Sequence, residues 1–134
     1  MLEDGAFMPT RAHREDAGLD LRAPYEIVVR PGGSALIDTG VHMEIPQRYF
    51  GKLESKSGLM VNHGIVCPGG VVDAGYTGSI VVCLENHGTR DYWIQRGDKI
   101  VQLVVIPCMA PPMTLVDELE ETDRGDGGFG STGR

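Results

Sequence analysis

Long apolar runs and clustered basic residues are both missing from this sequence. No stretch of about 18 apolar residues occurs, so the chain is predicted to carry no membrane span. The 12 lysine and arginine residues are outnumbered by 19 aspartate and glutamate residues, which leaves a formal net charge of -7. Because nucleic acids and acidic membrane surfaces bind clustered positive charge, we expect neither as a partner.

Cysteine is also scarce. Cys67, Cys83 and Cys108 are odd in number and lack C-x-x-C spacing, which argues against a disulfide framework. We expect free thiols in a reducing compartment. The first residues do not show a basic stretch followed by an apolar segment, so no secretory signal is visible and the expected location is the cytoplasm.

Turn-forming residues, by contrast, are abundant. The chain has 134 residues, which predicts one domain, and its 19 glycines and 8 prolines favour many short strands over helices. Residues 57–63 have the only helical pattern, with Ser57 as the expected N-cap. Together these features indicate an all-β sandwich or barrel with Greek-key connections. Strands are predicted at 25–30, 35–45, 49–54, 79–85, 92–95 and 99–107.

The C-terminal segment, residues 124–134, contains five glycines. Such a segment cannot hold a regular strand or helix alone, and a disordered tail is the simplest interpretation. It also contains Arg124, Phe129, Ser131 and Thr132. Arginine and glycine N–H groups bind phosphates, and an aromatic ring stacks on a base, so the segment has the parts of a loop that closes on an anionic ligand.

A zinc-binding pattern is incomplete, and two other common catalytic motifs are absent from the sequence. His42-Met43-Glu44 matches the H-x-E of zinc-dependent nucleobase deaminases. The other half of their signature is P-C-x-x-C, and here Pro111 stands where the cysteine three residues after Cys108 is required. We therefore expect no zinc site. The sequence contains neither a Walker A loop nor a G-x-S-x-G nucleophile pattern.

The segment 70–78 carries one carboxylate and one aromatic residue within a glycine-flanked bend, which we interpret as a β-hairpin. An aspartate beside such a bend is often only a turn residue. However, exposed backbone groups can read a base edge, Tyr76 can pack on a sugar, and Asp73 can orient a water molecule.

Five segments, taken in order, resemble the motifs of the trimeric dUTPase family. Each is weak alone, but together they cover nearly the whole chain with spacing similar to that of the family. The segments are 17–21 (AGLDL), 56–59 (KSGL), 70–80 (GVVDAGYTGSI), 96–102 (RGDKIVQ) and 124–133 (RGDGGFGSTG).

The resemblance implies a jelly-roll-like β-barrel that forms a homotrimer with active sites shared between subunits. It implies a core at 1–122 and a closing C-terminal motif at 123–134. It further implies hydrolysis of dUTP to dUMP and pyrophosphate, by Mg²⁺-assisted attack of water on the α-phosphate. That activity would limit uracil incorporation into DNA and supply dUMP.

The same resemblance implies roles for individual residues. Asp73 would activate the water and contact the 3′-hydroxyl, and Tyr76 would pack on deoxyribose and exclude a 2′-hydroxyl. Gln102 and Arg124 would assist at the phosphates. Asp20 would support the water shell of a Mg²⁺ ion held mainly by the substrate. Phosphate binding is expected from Lys56, Ser57 and Gly58, uracil recognition from the backbone of Gly70, Val71, Val72 and Val81, and closure from Phe129, Gly130, Ser131 and Thr132.

The chain departs from the family pattern at Lys56 and Thr77, where arginine is usual, and at Asp126, which puts a carboxylate in the closing motif. Lysine lacks the bidentate fork of arginine, so phosphates would be held more loosely. Two alternatives stay open. A dCTP deaminase of the same fold would need a glutamate where Cys83 stands, with Glu85 two residues away. A nucleotide-controlled binding protein would need no catalysis.

Overall fold

The computed structural model describes residues 1–128, in which nine strands and one short helix are present. The prediction of an all-β fold is confirmed. The elements are β1 (Gly18–Arg22), β2 (Ile27–Val29), β3 (Ser34–Asp38), β4 (Tyr49–Glu54), α1 (Ser57–His63), β5 (Ile65–Val66), β6 (Val71–Val72), β7 (Val81–Asn86), β8 (Tyr92–Ile94) and β9 (Lys99–Pro107).

The strands form three antiparallel sheets in the orders β1-β9-β4-β6, β2-β8 and β3-β7-β5. Among the described strands, no two that pair in a sheet are consecutive in the chain. The long strand β9 lies between β1 and β4 in the four-stranded sheet and pairs with both. This arrangement leaves β6 at a sheet edge, beside β4.

The core lies between the sheets and follows from alternation along the strands. In β7, Val82 and Leu84 are buried while their neighbours Val81 and Cys83 are more exposed. This period of two sends every second side chain into one apolar interior. Burying large aliphatic side chains supplies the main favourable free energy of folding. The largest of these side chains include Leu21, Ile37, Ile45, Ile65, Ile80, Ile94, Ile100 and Leu103.

Three details of the sequence interpretation were wrong. The predicted strand 35–45 ends at Asp38, because the 39–42 backbone bonds to residues outside a ladder, such as Ile80 and Met1. The proposed hairpin is a connection between sheets: β6 pairs with β4, whereas β7 pairs with β3 and β5. Ser57 is the first helical residue rather than the N-cap, a position that Lys56 occupies without a side-chain cap bond.

All three cysteines are free thiols, as expected, with Cys67 buried and the other two partly buried. Burial raises the pKa of the Cys67 thiol above its usual value. None of the helical structure within residues 1–128 is long and apolar enough to cross a membrane.

Candidate active site

A small cavity, which we call the turn pocket, opens beside β6 and the start of β7. Its volume is about 170 Å³. Within residues 1–128, no lysine or arginine lines it. The lining residues are Leu53, Gly70, Val71, Val72, Asp73, Tyr76, Ile80 and Val81.

Glycines allow the close approaches that shape the turn pocket. The N–H of Leu53 donates to the carbonyl of Gly70 at 3.0 Å, and a Cβ on Gly70 would lie 2.8 Å from the Leu53 side chain. A Cβ on Gly78 would lie within 2.7 Å of the Tyr76 ring. Side chains larger than hydrogen at these two positions would displace the pocket wall or the ring.

Residues 73–80, which we call the 73–80 turn, are held by hydrogen bonds from within and from residues 38–42. The Tyr76 N–H donates to the Asp73 carbonyl at 3.0 Å, and the Tyr76 hydroxyl donates to the Ser79 carbonyl at 2.8 Å. The Thr39 hydroxyl donates to the Ile80 carbonyl at 2.7 Å. These bonds fix the ring of Tyr76 and the backbone next to Asp73.

Asp38 supports the same turn by accepting a hydrogen bond from the Ser79 hydroxyl. That bond, together with one from the Gly40 N–H, holds the pKa of the Asp38 carboxyl below its ordinary value. The carboxylate is therefore ionised, and remains a hydrogen-bond acceptor for the turn, at neutral pH.

A second group of polar side chains, which we call the lysine cluster, lies where β1, β9 and the start of α1 meet. The ammonium groups of Lys56 and Lys99 lie 2.5 and 2.6 Å from the two carboxylate oxygens of Asp20. The Asp20 side chain is only 9% exposed, whereas both lysine side chains keep about three times that exposure. With two cations around one anion, the cluster carries a net positive charge beside solvent.

Two opposing effects act on the pKa of the Asp20 carboxyl. Burial raises the pKa, but the hydrogen bonds and charges of Lys56 and Lys99 lower it further, so the net pKa lies below the ordinary value. Asp20 is therefore an ionised partner that holds both ammonium groups in place.

Gln102 joins the lysine cluster through strand register. It pairs with Asp20 of β1 on one side and with Glu54 of β4 on the other, and its amide donates to the Ser55 carbonyl at 3.3 Å. Ser57 and Gly58 follow Lys56 at the start of α1, and the space in front of Gly58 is open. The structure thus brings together the residues predicted to bind phosphates.

Among the described residues, none belongs to both the turn pocket and the lysine cluster. Val72 pairs with Gly51, which places Asp73 level with Phe50, whereas Lys56 lies beyond the opposite end of β4. The four steps along the strand from Phe50 to Glu54 alone span about 13 Å. The pocket that could hold a nucleoside and the cations that could hold its phosphates are therefore separated.

Comparison with known proteins decides the family. The dUTPase family model matches residues 4–133.

The chain belongs to the dUTPase family.

Relatives in sequence and in structure agree with this family. A deoxyuridine 5′-triphosphate nucleotidohydrolase from Clostridium acetobutylicum is 42% identical over 134 residues, covering 98% of this chain and 92% of the relative. The corresponding protein of Anaplasma marginale is also 42% identical, with 96% and 90% covered. The dUTPase of Staphylococcus bacteriophage 80alpha, solved with dUPNHPP, has a TM-score of 0.92 at 31% identity, with 100% and 96% covered.

A further solved relative bears on metal binding. A mutant dUTPase from phage phi11 of S. aureus, described with a coordinated structural Mg(II) ion, has a TM-score of 0.82 at 31% identity, with 90% and 95% covered. In this dUTPase-family chain, residues 1–128 contain no group of three or more histidine, cysteine, aspartate or glutamate side chains suited to a metal. Both Asp20 oxygens face lysines. These residues fit a Mg²⁺ ion that arrives on a substrate, which is the usual way that Mg²⁺ enters nucleotide sites.

The C-terminal motif is described only in part. The Arg124 side chain donates to the Gly127 carbonyl at 3.1 Å, and the Gly127 N–H donates back to the Arg124 carbonyl at 3.0 Å, so both belong to a local turn. The predicted roles of Phe129, Gly130, Ser131 and Thr132 fall on residues outside the described part of the chain.

Sequence reasoning missed the residues that support the site from a distance. Lys99 lies within the fourth motif, and its charge next to a buried strand was an available signal. Asp38, Thr39 and His42 lie in no motif, and their contacts with the 73–80 turn join positions 35 to 41 residues apart. No local pattern predicts contacts at that separation.

Proposed function

We propose that this chain is a dUTP diphosphatase, which hydrolyses dUTP to dUMP and pyrophosphate. The observation that carries the proposal is the turn pocket, in which an edge backbone, the Tyr76 ring and the Asp73 carboxylate surround one nucleoside-sized cavity. Membership of the dUTPase family agrees with this chemistry.

Uracil recognition is assigned to the backbone of β6. This strand lies at a sheet edge, so the N–H and C=O groups that do not pair with β4 point outward. The Val71 side chain is 66% exposed, which leaves the approach to these groups open. Backbone donors and acceptors have fixed positions, and cytosine presents a different pattern from uracil at the same edge. Gly70, Val72 and Val81 complete the wall.

Sugar recognition is assigned to Tyr76. The hydroxyl bond to Ser79 and the packing over Gly78 fix its ring at the pocket mouth. A deoxyribose packs against the ring face, and a 2′-hydroxyl would clash with it. Excluding the wrong sugar by a rigid obstacle is a general route to specificity.

The chemical step is assigned to Asp73 acting on water. The carboxylate accepts a proton from a water molecule as the water oxygen bonds to the α-phosphorus. The bond between the α-phosphorus and the bridging oxygen breaks, and pyrophosphate leaves with the electron pair. Gln102 holds the phosphate and the ordered water, and Arg124 approaches when the C-terminal motif closes.

The phosphates are assigned to Lys56, Ser57 and Gly58, with Lys99 adding charge. A Mg²⁺ ion brought by the substrate would neutralise part of the triphosphate charge and polarise the α-phosphate. Asp20 would support the water shell of that ion, and it holds the two lysines in place.

The separation of the turn pocket from the lysine cluster supports a homotrimer in which neighbouring subunits complete each site. Within the described residues no cation lines the cavity, and Lys56 lies beyond the end of β4 opposite to the one near Asp73, which supports phosphate ligands from a neighbouring subunit. Apolar side chains of the segment after β9 also lack cover in a single chain, and Leu115 is 98% exposed. A second copy would bury them. In this assembly residues 1–122 form the core and 123–134 the closing motif.

We place this activity in the cytoplasm, where it limits uracil incorporation into DNA and supplies dUMP. The test is pyrophosphate release from dUTP, dCTP, dTTP and UTP, measured with Mg²⁺ and with EDTA. We expect release from dUTP alone, and EDTA should abolish it. Ammonia release from dCTP would instead support a deaminase, despite Cys83 at the position of its glutamate. Binding of dUTP without any release would support a nucleotide-controlled binding protein.

A further inference from the structure

His42 joins the N-terminal segment to the 73–80 turn. Its Nδ1 lies 2.9 Å from the carbonyl oxygen of Thr77, and its Nε2 lies 2.9 Å from a carboxylate oxygen of Glu3. The side chain is 17% exposed, so the ring is held between its two partners rather than free in solvent.

The N-terminal segment is itself fixed to the backbone on either side of His42. The Glu3 N–H donates to the Gly40 carbonyl at 2.9 Å, and Met1 and His42 exchange two backbone hydrogen bonds of 2.9 Å. The Leu2–Val41 bridge lies between them. Glu3 therefore presents its carboxylate to the ring from a defined backbone position.

The chemistry of the two partners fixes the protonation state that satisfies both contacts. A carbonyl oxygen and an ionised carboxylate only accept hydrogen bonds, so both ring nitrogens must donate. Only the imidazolium form carries a hydrogen on each nitrogen. A neutral ring would place a nitrogen lone pair against an oxygen lone pair at one of the two contacts.

The charged groups around the ring favour the imidazolium form on balance. The hydrogen bond to the Thr77 carbonyl is the largest influence that raises the pKa of His42, followed by the hydrogen bond to Glu3. Slight burial and the Met1 ammonium group oppose this rise. Asp38 also faces the ring, and the charge of His42 lowers the pKa of that carboxyl.

We propose that His42 is a positioning residue for substrate selection, which in its imidazolium form fixes the 73–80 turn so that Tyr76 is set against the sugar. This inference rests on the proposed dUTP hydrolysis and adds a residue outside the five motifs. Thr77 directly follows Tyr76. Loss of the hydrogen bond between His42 and the Thr77 carbonyl therefore acts on the Tyr76 ring through one peptide unit.

The sign of the pH dependence follows from the raised pKa. The two contacts are complete at pH values below the ordinary pKa of histidine, and one is lost as pH rises through the higher pKa of His42 in the folded chain. Above that pH the turn loosens, so the KM for dUTP should rise and discrimination against UTP should fall. The kcat for bound dUTP should change little, because His42 does not touch the reacting atoms.

The test compares KM and kcat for dUTP and UTP between about pH 6 and 9. His42→Ala should raise the KM for dUTP and lower the dUTP-to-UTP preference about fivefold at the lower pH values, the scale of one lost hydrogen bond. Glu3→Gln is the sharper variant. Its amide can donate to Nε2 of a neutral ring, so the rise of KM with pH should disappear while the turn stays anchored.

His87→Gln is the matched control, because His87 forms a similar pair with Glu85 at 2.8 Å, at the opposite end of β7 from Val81. It should leave both the pH profile and the sugar preference unchanged. Melting temperatures of all variants separate loss of fold from loss of positioning.

Nuclear magnetic resonance provides a readout that does not depend on turnover. The backbone amides of Tyr76, Thr77 and Gly78 should shift with the same pH midpoint as the His42 ring. Independent midpoints, or unaltered KM and sugar preference in His42→Ala, would overturn the inference. Absence of dUTP hydrolysis by the unmodified chain would overturn the proposed function instead, and the titration would still decide whether His42 controls the turn.

Discussion

The turn pocket and the lysine cluster are built from different chemical groups and held by different interactions. The turn pocket is lined by backbone groups, one ring and one carboxylate, and hydrogen bonds from residues 38–42 hold its turn. The lysine cluster is held by ion pairs between Asp20 and the ammonium groups of Lys56 and Lys99. In the proposed function, a neutral base and sugar are selected by shape and fixed hydrogen-bond geometry, whereas phosphates are bound mainly through charge.

This difference explains how an acidic chain can bind a triphosphate. Placing a few cations in one cluster creates a local positive site without a basic surface, so that the overall charge of -7 is no obstacle. Under the proposed function, the separation along β4 places nucleoside binding and phosphate binding at two different places in one chain. If neighbouring copies complete each site, assembly becomes a condition for catalysis.

The largest expected effect comes from the turn pocket. Asp73→Asn should reduce pyrophosphate release from dUTP about 10³-fold, because an amide cannot accept the proton of the attacking water. Binding of a non-hydrolysable dUTP analogue should persist, since the pocket shape is unchanged. Single-turnover kinetics and calorimetry measure the two properties separately. Near-normal turnover would remove Asp73 from the chemical step.

Removing the C-terminal motif tests whether the turn pocket and the lysine cluster suffice for hydrolysis. A chain that ends at Asp123 should fold and assemble but lose about 10²-fold in turnover, because Arg124 and the following residues no longer close over the phosphates. Circular dichroism and sedimentation check fold and assembly, and pyrophosphate release measures activity. Retained activity would mean that the two halves form a complete site without closure.

The sequence predicted the parts of this molecule that depend on local pattern. β4, β9 and α1 occupy the predicted ranges, because strand alternation and short helical spacing are local signals. The prediction of a strand failed at 41–45. Val41 and Ile45 are buried as they would be in a strand, but the backbone of residues 41 and 42 bonds to Ile80 and Met1 outside a strand ladder. It also failed for the supposed hairpin, because the sheet that each strand joins depends on distant partners.

The candidate site shows the same division. Asp20 and Gln102 pair between β1 and β9, and Lys56 contacts Asp20 through an ion pair. The separation of Asp73 from Lys56 follows from pairing between β4 and β6, which no single segment specifies. The supporting contacts of Asp38 and His42 likewise require the folded chain.

Mixing two inactive variants tests the separation directly. Asp73→Asn and Lys56→Ala chains should each be poorly active alone, but refolding them together should restore about a quarter of normal activity if each site takes Asp73 and Lys56 from different subunits. The measurement is pyrophosphate release before and after mixing at constant total protein. Mixing each variant with itself is the control. No recovery, despite mass-spectrometric proof of mixed assemblies, would show that one chain supplies both residues.

The smallest expected effect concerns the lysine cluster as a stabilising element. Because the folded pKa of Asp20 lies below its ordinary value, the carboxylate stabilises the fold above that ordinary pKa, and this contribution is lost as pH falls through the folded pKa. Asp20→Asn should therefore lower the melting temperature by about 3 °C at neutral pH and flatten its decline in acid. Asp16→Asn is the control, because Asp16 lies in an exposed pair with His13. Equal acid profiles for the Asp20 variant and the unmodified chain would mean that the ion pairs position Lys56 and Lys99 without stabilising the fold, and the cluster would then be a device for phosphate binding alone.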